Sequence, residues 1–334
     1  MKKLVWLLVV ALLVLTFGAC APKAPVDTPD TNDKQDPVVT KTDVNIVAIN
    51  GPTGVGMANL WADADAGKTE NNYKITTVTA PDQAVAAIVN GSADIAAVPT
   101  NLAAMLYKKT EGKVQVLAAN TRGVLYVLEN GNTIESIQDL KGKTIYTTGQ
   151  GANPEYILRY LLEKNGLSND VKIEFVAENT ELSTLLINNT ASIALVPEPL
   201  ATTVMTKNAD LRVALDINDE WEAVSEKGLV MGCVVARTEF VEKNKQAVDT
   251  FLKEYKASID TANEKAPETA QLCAKYGIIA AAPIAEKAIP RCQLICSTGV
   301  EMKAQLVGFY NVLLAANPAS VGGGLPAENF FYGS

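Results

Sequence analysis

Short apolar runs alternate with amphipathic segments along most of the chain, starting near residue 43. Uninterrupted apolar runs of four to six residues predict buried strands, and the segments between them have the three- and four-residue spacing of helices. The predicted strands are 44–49, 74–79, 95–98, 144–148, 172–177 and 193–196, and the predicted helices are 54–66, 82–90, 154–165 and 181–188. Strands separated by helices pair mainly in parallel, so the pattern predicts an α/β fold.

The predicted order of elements occurs twice because the sequence contains an internal repeat. Residues 77–103 align without a gap on residues 175–201, at an offset of 98 positions. The nine identical positions of 27 are Val78, Asn90, Ala93, Ile95, Ala96, Val98, Pro99, Leu102 and Ala103. A Thr-Gly-x-Gly tetrapeptide at 53–56 also recurs at 148–151. The repeat predicts two similar lobes with mainly parallel sheets.

Two extended apolar stretches, 123–129 and 228–236, predict a two-stranded hinge between these lobes. The predicted first lobe comprises 43–122 plus 234–334, and the second comprises 123–233 including the hinge strands. Helical patterns at 240–259, 267–276 and 302–315 complete the first lobe. A ligand cleft is expected between the lobes.

The first 42 residues have a different character. Lys2 and Lys3 precede an apolar run that ends at Gly18 and Ala19, directly before Cys20, which predicts a signal peptide over 1–19 and lipidation of Cys20. The alternative is an ordinary cleaved signal with an incidental cysteine. The polar, proline-containing segment 20–42 cannot bury enough apolar surface to fold, so it is expected to be a disordered tether. These features predict an extracytoplasmic protein anchored to the cell membrane.

Composition narrows the possible chemistry. The formal net charge of −8 argues against nucleic acid as a partner. The chain has no histidine, which excludes Ser-His-Asp triads, Cys-His pairs and histidine metal ligands. Carboxylate pairs could still act as acid and base, but the Asp and Glu residues lie mostly in polar segments, such as that of Glu220 and Glu222, which are typical of a solvated surface. No catalytic residue, metal or cofactor is therefore predicted. Cys233, Cys273, Cys292 and Cys296 allow one or two disulfides, although the apolar surroundings of Cys233 favour a buried thiol.

Candidate ligand contacts follow from the geometry of open α/β sheets, which bind ligands outside the carboxyl ends of their strands. Thr53, Thr100, Thr148 and Glu198 each follow a predicted strand and stand at or before a helix start. Their side chains can reach a ligand there or, alternatively, cap the helix. The Gly-x-Gly pairs lack the third glycine of a dinucleotide-binding motif.

Three segments resemble the solute-binding lipoproteins of bacterial ABC importers, in the group associated with nitrate, sulfonate, taurine and thiamine-precursor uptake. They are NGSADIAAVPTNLA from Asn90, DLKGKTIYTTGQGANPEY from Asp139 and LVPEPLATTV from Leu195. The resemblance implies a type II periplasmic-binding-protein-like fold, a small-molecule ligand, permease and ATPase partners, and a monomer. Two alternatives are a solute-sensing adaptor for a membrane receptor and a thiamine-pyrimidine synthase. That enzyme uses a histidine and a cysteine-rich motif, which this chain lacks.

The predicted ligand contacts come from both lobes and the hinge. They are Thr53, Gly54, Thr100, Asn101, Arg122, Thr148, Gly149, Gln150 and Glu198. Arg122 would pair with a carboxylate or sulfonate, or else lie solvated at a strand end. Glu198 instead favours a ligand with donor groups, such as an aminopyrimidine. Trp61 and Trp221 would stack on such a ring or serve in packing.

Overall fold

Two β-sheets organise residues 41–334, the part of the chain that the computed structural model describes. Their strands are β1 (Asp43–Ile49), β2 (Asn72–Val78), β3 (Ile95–Pro99), β4 (Val114–Thr121), β5 (Leu125–Asn130), β6 (Thr144–Thr147), β7 (Lys172–Phe175), β8 (Ile193–Pro197), β9 (Leu211–Asp216), β10 (Gly232–Arg237) and β11 (Leu294–Ser297). The first sheet has the order β11-β4-β10-β3-β1-β2 and the second has the order β7-β6-β8-β5-β9.

Helices connect these strands. They are α1 (Pro52–Val55), α2 (Ala58–Asp65), α3 (Pro81–Val89), α4 (Thr100–Lys109), α5 (Asn153–Lys164), α6 (Asn179–Ile187), α7 (Leu200–Lys207), α8 (Ile217–Glu222), α9 (Thr238–Lys243), α10 (Lys245–Glu264), α11 (Ala266–Lys275), α12 (Ala282–Ala288) and α13 (Gly299–Ala316). Short 3₁₀ helices span Ile137–Leu140, Ile289–Cys292, Pro318–Val321 and Glu328–Phe330.

The two sheets share one topology, which confirms the predicted pair of similar α/β lobes. The strands β2-β1-β3-β10-β4 of the first sheet correspond in order to β7-β6-β8-β5-β9 of the second. The parallel part of each sheet is β2-β1-β3 or β7-β6-β8. Next to it lies an antiparallel strand, β10 or β5. The sheets are mixed because each stretch of chain that passes between the lobes continues into an antiparallel strand. This strand is β5 in the second sheet and β10 in the first.

Strand register corrects one part of the repeat. Val47 pairs with Ala96 in the first sheet, and Tyr146 pairs with Ala194 in the second. Since Ala96 and Ala194 are equivalent in the repeat, Tyr146 is the counterpart of Val47. The Thr-Gly-x-Gly tetrapeptides are consequently not equivalent: the first begins inside α1, and the second follows β6 directly.

The chain passes between the sheets at two places. The first lies between the end of β4 at Thr121 and the start of β5 at Leu125, and the second lies between the end of α8 at Glu222 and the start of β10 at Gly232. Both fall within or beside the stretches expected to form the hinge. The division into lobes at residues 122 and 233 stays a prediction.

The C-terminal helix α13 contacts elements of both sheets. It packs on β4 and α4 of the first lobe and on α5 of the second. Phe309 of α13 lies edge-on against Trp221, with ring centroids 5.8 Å apart. Asn317, directly after the helix, donates to the Tyr156 hydroxyl at 2.8 Å. The core around α13 is therefore shared between the lobes.

The remaining sequence-based expectations concern the N-terminal residues and the cysteines. The signal peptide 1–19, the lipidated Cys20 and nearly all of the tether 20–42 lie outside the described residues. Within 41–334, no helix combines the length and apolar character needed to cross a membrane. Cys233, Cys273, Cys292 and Cys296 are all free thiols, so the disulfides that their even number allowed are not formed. Cys233 is fully buried, as its apolar surroundings predicted.

Candidate ligand-binding site

A cavity of about 310 Å³ opens where the carboxyl ends of the parallel strands of both sheets meet. Its polar wall consists of Asn50, Thr53, Asn101, Thr121, Asn153 and Glu198. The remaining lining is apolar and includes Pro52, Pro99, Pro154, Pro197, Val124 and Met231. This is the position at which open α/β sheets bind ligands.

Two carboxamide oxygens in this wall have no hydrogen-bond partner among the described residues. They are the Oδ1 atoms of Asn50, after β1, and Asn153, at the start of α5, and both atoms are buried. Asn153 is only 6% exposed, and its Nδ2 donates to Asn101 Oδ1 across the cleft at 3.1 Å. Leaving a buried acceptor unpaired costs about 1–3 kcal/mol. Such atoms are expected where a ligand supplies the missing partner.

Glu198 places a carboxylate in the same wall. It follows β8, is 2% exposed, and accepts hydrogen bonds from the Thr202 amide at 3.2 Å and the Thr202 hydroxyl at 3.0 Å. The Arg291 guanidinium lies 4.0 Å from its Oε1. Burial raises the pKa of Glu198, while the Thr202 hydrogen bonds and the Arg291 charge act against this shift. Its charge is thus only partly compensated by the protein.

Thr53 is held in the cavity wall by a buried network beneath it. Its hydroxyl donates to the Ile49 carbonyl at 3.3 Å, and its own carbonyl accepts from Asn120 Nδ2 at 3.1 Å. Asn120 also donates to the Tyr255 hydroxyl at 2.9 Å and accepts from the Thr121 hydroxyl at 2.9 Å. Asn120 therefore fixes two cavity residues without lining the cavity itself.

Two of the predicted contacts, Gly54 and Thr100, lie next to the cavity but do not line it. A Cβ atom at Gly54 would lie 2.8 Å from the Ile49 carbonyl oxygen, so glycine is needed there for packing. Thr100 is fully buried and its hydroxyl donates to the Val230 carbonyl at 3.0 Å. Both residues hold the cavity wall in place.

The other predicted contacts lie farther out. Thr148, Gly149 and Gln150 form the loop after β6 and do not line the cavity. The Thr148 hydroxyl donates instead to Asn179 Oδ1 at 2.9 Å. Arg122 also lies outside the lining, because its Nη1 pairs with Glu222 Oε1 at 3.0 Å. Of the nine predicted residues, the structure brings together Thr53, Asn101 and Glu198.

Neither tryptophan considered for ring stacking reaches the cavity. Trp221 is 1% exposed, and its Nε1 donates to the Lys227 carbonyl at 2.8 Å. Trp61 stacks on Tyr276, with ring centroids 4.3 Å apart. Both tryptophans therefore serve in packing, which was the alternative that the sequence allowed.

The contacts predicted from the sequence did not include Asn50 and Asn153, because most of them were threonines and glycines near helix starts. A signal was nevertheless present, because Asn50 directly follows a predicted strand and Asn153 directly precedes the predicted helix 154–165. A carboxamide at position 50 or 153 is expected at the same edge of the sheets as the predicted threonines. Asn120 had no comparable signal, since its partner Tyr255 is distant in sequence.

Several surface depressions of the described residues are larger than the cleft cavity, and two of them show why they are less suited to binding. One, of about 680 Å³, is lined by the ends of α3 and α4 and by α9, and the other, of about 560 Å³, lies between α5 and α13. In the first, Arg237 is already paired with Asp94 at 2.6 Å. In the second, the Tyr156 hydroxyl is already bonded to Asn317 and Gly151. Neither contains an unpaired buried polar atom.

Comparison with known proteins identifies related sequences and folds. The model of the NMT1/THI5-like family matches residues 72–270. No curated protein matches the sequence significantly. A structure described as an ABC transporter from Parabacteroides distasonis is 23% identical, with a TM-score of 0.72, and the alignment covers 87% of this chain and 99% of that one.

Two further structures extend the comparison. The periplasmic aliphatic sulphonate binding protein SsuA from Escherichia coli is 14% identical with a TM-score of 0.70, over 88% of this chain and 92% of that one. The periplasmic nitrate-binding protein NrtA from Synechocystis PCC 6803 is 16% identical with a TM-score of 0.52, over 74% and 69%. At these identities the likeness shows a shared fold.

Proposed function

Because this chain belongs to the NMT1/THI5-like family, we propose that it is an extracytoplasmic solute-binding protein that encloses a small molecule between its two lobes. It then delivers this molecule to an ABC-type importer. The observation that carries the proposal is the cleft cavity, whose wall combines residues of both sheets and contains two unpaired, buried carboxamide oxygens. The structures of similar fold are described as an ABC transporter and as sulphonate- and nitrate-binding proteins.

The cellular setting is part of the same proposal. Lipidation at Cys20 anchors the protein to the membrane, and the segment 20–42 tethers the folded body near the permease. The protein acts as a monomer and carries out no reaction. The absence of histidine from the chain removes the usual proton-transfer groups near neutral pH, which favours binding over catalysis.

Ligand-induced closure provides the direct test. Thermal unfolding of the full chain is followed by intrinsic tryptophan fluorescence in the presence of different small molecules. A ligand that binds only the folded state raises the melting temperature. Small-angle X-ray scattering with a stabilising compound is then expected to show a smaller radius of gyration.

Matched variants make the test specific to the cavity. Asn153→Ala removes a cavity carboxamide and is expected to abolish most of the ligand-induced shift. Asn169→Ala changes an exposed asparagine in the turn after α5 and should leave the shift as in the wild type. A compound that stabilises both variants equally and produces no compaction would contradict binding between the lobes.

A further inference from the structure

A short segment directly before β11 reaches from the first sheet to the second. β11 pairs with β4 in the first sheet, and Ile289 and Cys292 before it are buried in the core on one face of that sheet. Arg291 and Gln293, on either side of Cys292, make hydrogen bonds instead to residues of the second sheet and of a helix beside it. The segment is thus fixed in the first lobe and makes polar contacts with the second.

Three hydrogen bonds join this segment to the second lobe. The Tyr126 hydroxyl of β5 donates to the Arg291 carbonyl at 2.7 Å. Gln293 Nε2 donates at 3.0 Å to Oδ2 of Asp216, the last residue of β9. Arg291 Nη1 donates to the Thr202 hydroxyl of α7 at 3.3 Å. Since α12 also packs against α7, the contact between the lobes continues beyond these three bonds.

The groups on both sides of these bonds are held in place by their own lobes. Tyr126 is 3% exposed, and Asp216 is its pairing partner on the neighbouring strand. Asp216 Oδ1 accepts from the Asn218 amide at 2.8 Å, which orients the carboxylate and leaves Oδ2 to Gln293. Gln293 has a φ of 46°, in the left-handed region that residues other than glycine rarely adopt. A strained backbone of this kind persists where the surrounding contacts fix it.

The same segment is linked to the cleft cavity through Glu198. Glu198 lines the cavity and follows β8 of the second sheet, while Arg291 lies 4.0 Å from its Oε1 and does not line the cavity. The carboxylate and the guanidinium therefore belong to different lobes. Separation of the lobes would withdraw the Arg291 charge from Glu198 and break the three hydrogen bonds together.

On the basis of the proposed function, we infer that Tyr126, Arg291 and Gln293 are positioning residues that form a clasp between the lobes, outside the cavity. The clasp sets the fraction of molecules whose cleft is closed before a ligand binds. The apparent affinity of a ligand falls in proportion to the fraction of protein in the binding-competent state. These three residues consequently raise the affinity for a cleft ligand of any chemistry without touching it.

Variants that remove single contacts of the clasp test this inference without a ligand. Tyr126→Phe deletes the hydroxyl that contacts Arg291 and keeps the buried ring. Gln293→Gly deletes the bond to Asp216, and glycine accepts the left-handed backbone without strain. Loss of one hydrogen bond is expected to raise the ratio of open to closed molecules about fivefold. Small-angle X-ray scattering of the ligand-free full chain should then give a larger radius of gyration for each variant than for the wild type.

Two matched controls change the same kinds of group within the first lobe. Tyr107→Phe removes a hydroxyl that donates to Asn329 at 2.6 Å, and the helices that carry these two residues both pack on β4. Glu111→Gly replaces another residue with a positive φ, of 54°, in the turn between α4 and β4. Both controls are expected to keep the wild-type radius of gyration. Urea unfolding of all four variants verifies that an increase reflects opening of the cleft and not loss of the fold.

A titration separates the clasp from the proposed function. The wild type and the variants are titrated by calorimetry with methanesulfonate, nitrate and cytosine. A probe that binds the wild type should bind Tyr126→Phe more weakly, by up to about fivefold, and Tyr107→Phe as tightly as the wild type. An expanded variant that binds the probe with the wild-type affinity would overturn the effect of the clasp on binding.

The scattering result decides on the clasp whether or not a probe binds. Curves of Tyr126→Phe and Gln293→Gly that superpose on that of the wild type would overturn it. Expansion of both variants, with no binding of any probe to any form of the protein, would support the clasp and count against the proposed function alone.

Discussion

Gly232 sits at the start of β10, where the chain returns to the first lobe and forms part of the cavity wall. A Cβ atom at this position would lie 2.5 Å from Asn120 Oδ1, 2.7 Å from Thr53 Cγ2 and 2.8 Å from Thr121 Oγ1. Favourable carbon contacts are about 3.5–4.0 Å. The Gly232→Ala variant must therefore push three neighbours aside by roughly 0.5–1 Å.

These neighbours cannot move freely. Asn120 donates to the Thr53 carbonyl and to the buried Tyr255 hydroxyl, so its displacement strains two hydrogen bonds. Overpacking of a well-packed interior costs about 1–3 kcal/mol. With three simultaneous close contacts, we expect Gly232→Ala to lower the free energy of unfolding by about 2–3 kcal/mol.

The expected shift in melting temperature follows from the size of the folded body. An unfolding entropy of about 2.1 cal/mol/K per residue gives roughly 0.6 kcal/mol/K for residues 41–334. A loss of about 2–3 kcal/mol then lowers the melting temperature by about 3–5 °C. Urea unfolding at 25 °C measures the free energy of unfolding directly. Ligand binding by Gly232→Ala should also weaken, because Thr53 is displaced.

Gly228→Ala is the matched control, since it lies in the same returning segment. The nearest atom to its added Cβ would be Gln305 Nε2 at 4.0 Å. Neither glycine has a backbone in the left-handed region, so the two variants differ in available space and not in backbone strain. We expect the free energy of unfolding of Gly228→Ala to lie within about 0.5 kcal/mol of the wild-type value or to be slightly higher. Equal stabilities for the two variants would refute the reasoning from packing.

Three further predictions concern other parts of the molecule. Burial alone would raise the pKa of Glu129, but its hydrogen bonds from Thr133, Ile134 and Arg212 outweigh this and hold the pKa below its usual value. The free energy of unfolding should thus fall as the pH drops from about 4.3 through this depressed pKa, and fall less in Glu129→Gln, as urea titrations at several pH values would show. Thr148→Ala should leave the affinity for a cleft ligand, measured by calorimetry, within about twofold, because the hydroxyl pairs with Asn179 outside the cavity. A loss of affinity of about tenfold or more would contradict this and indicate that the loop after β6 contacts the ligand. Burial raises the pKa of Cys296 to about 11, so this partly exposed thiol should react slowly with iodoacetamide at pH 7, and mass spectrometry should find the fully buried Cys233 unlabelled until the protein unfolds.

Local pattern was sufficient to predict most strands to within a few residues, because strands buried on both faces appear as short apolar runs. The predicted strand 95–98, for example, is β3 (Ile95–Pro99). The predicted helix 54–66 was wrong in its continuity, since it divides into α1 and α2 around Gly56. A Cβ at Gly56 would lie 2.8 Å from the Tyr255 hydroxyl. The chain at this break thus packs closely against a helix far along the sequence, a contact that local periodicity does not report.

The site was predictable to the extent that it depends on strand ends. Thr53, Asn101 and Glu198 were found because their positions after strands place them at the binding edge of an α/β sheet. The prediction for Arg122 did not foresee that it pairs with Glu222 outside the cavity lining, because this partner is 100 residues away in the chain. The position of Asn153 before a predicted helix was visible in the sequence, but its unpaired oxygen is revealed only by the complete set of hydrogen bonds in the folded state.

The exchange of β5 and β10 between the two halves of the sequence determines the order in which the sheets can be completed. All strands of the second sheet lie between Leu125 and Asp216, so that sheet can form as soon as this segment is available. The first sheet must wait, because β3 and β4 are joined only through β10, and β11 begins at Leu294. Until then the edges of β3 and β4 are open to pairing with other chains. During synthesis, the N-terminal strands are consequently the segment most in need of protection from aggregation, because they are made first and paired last.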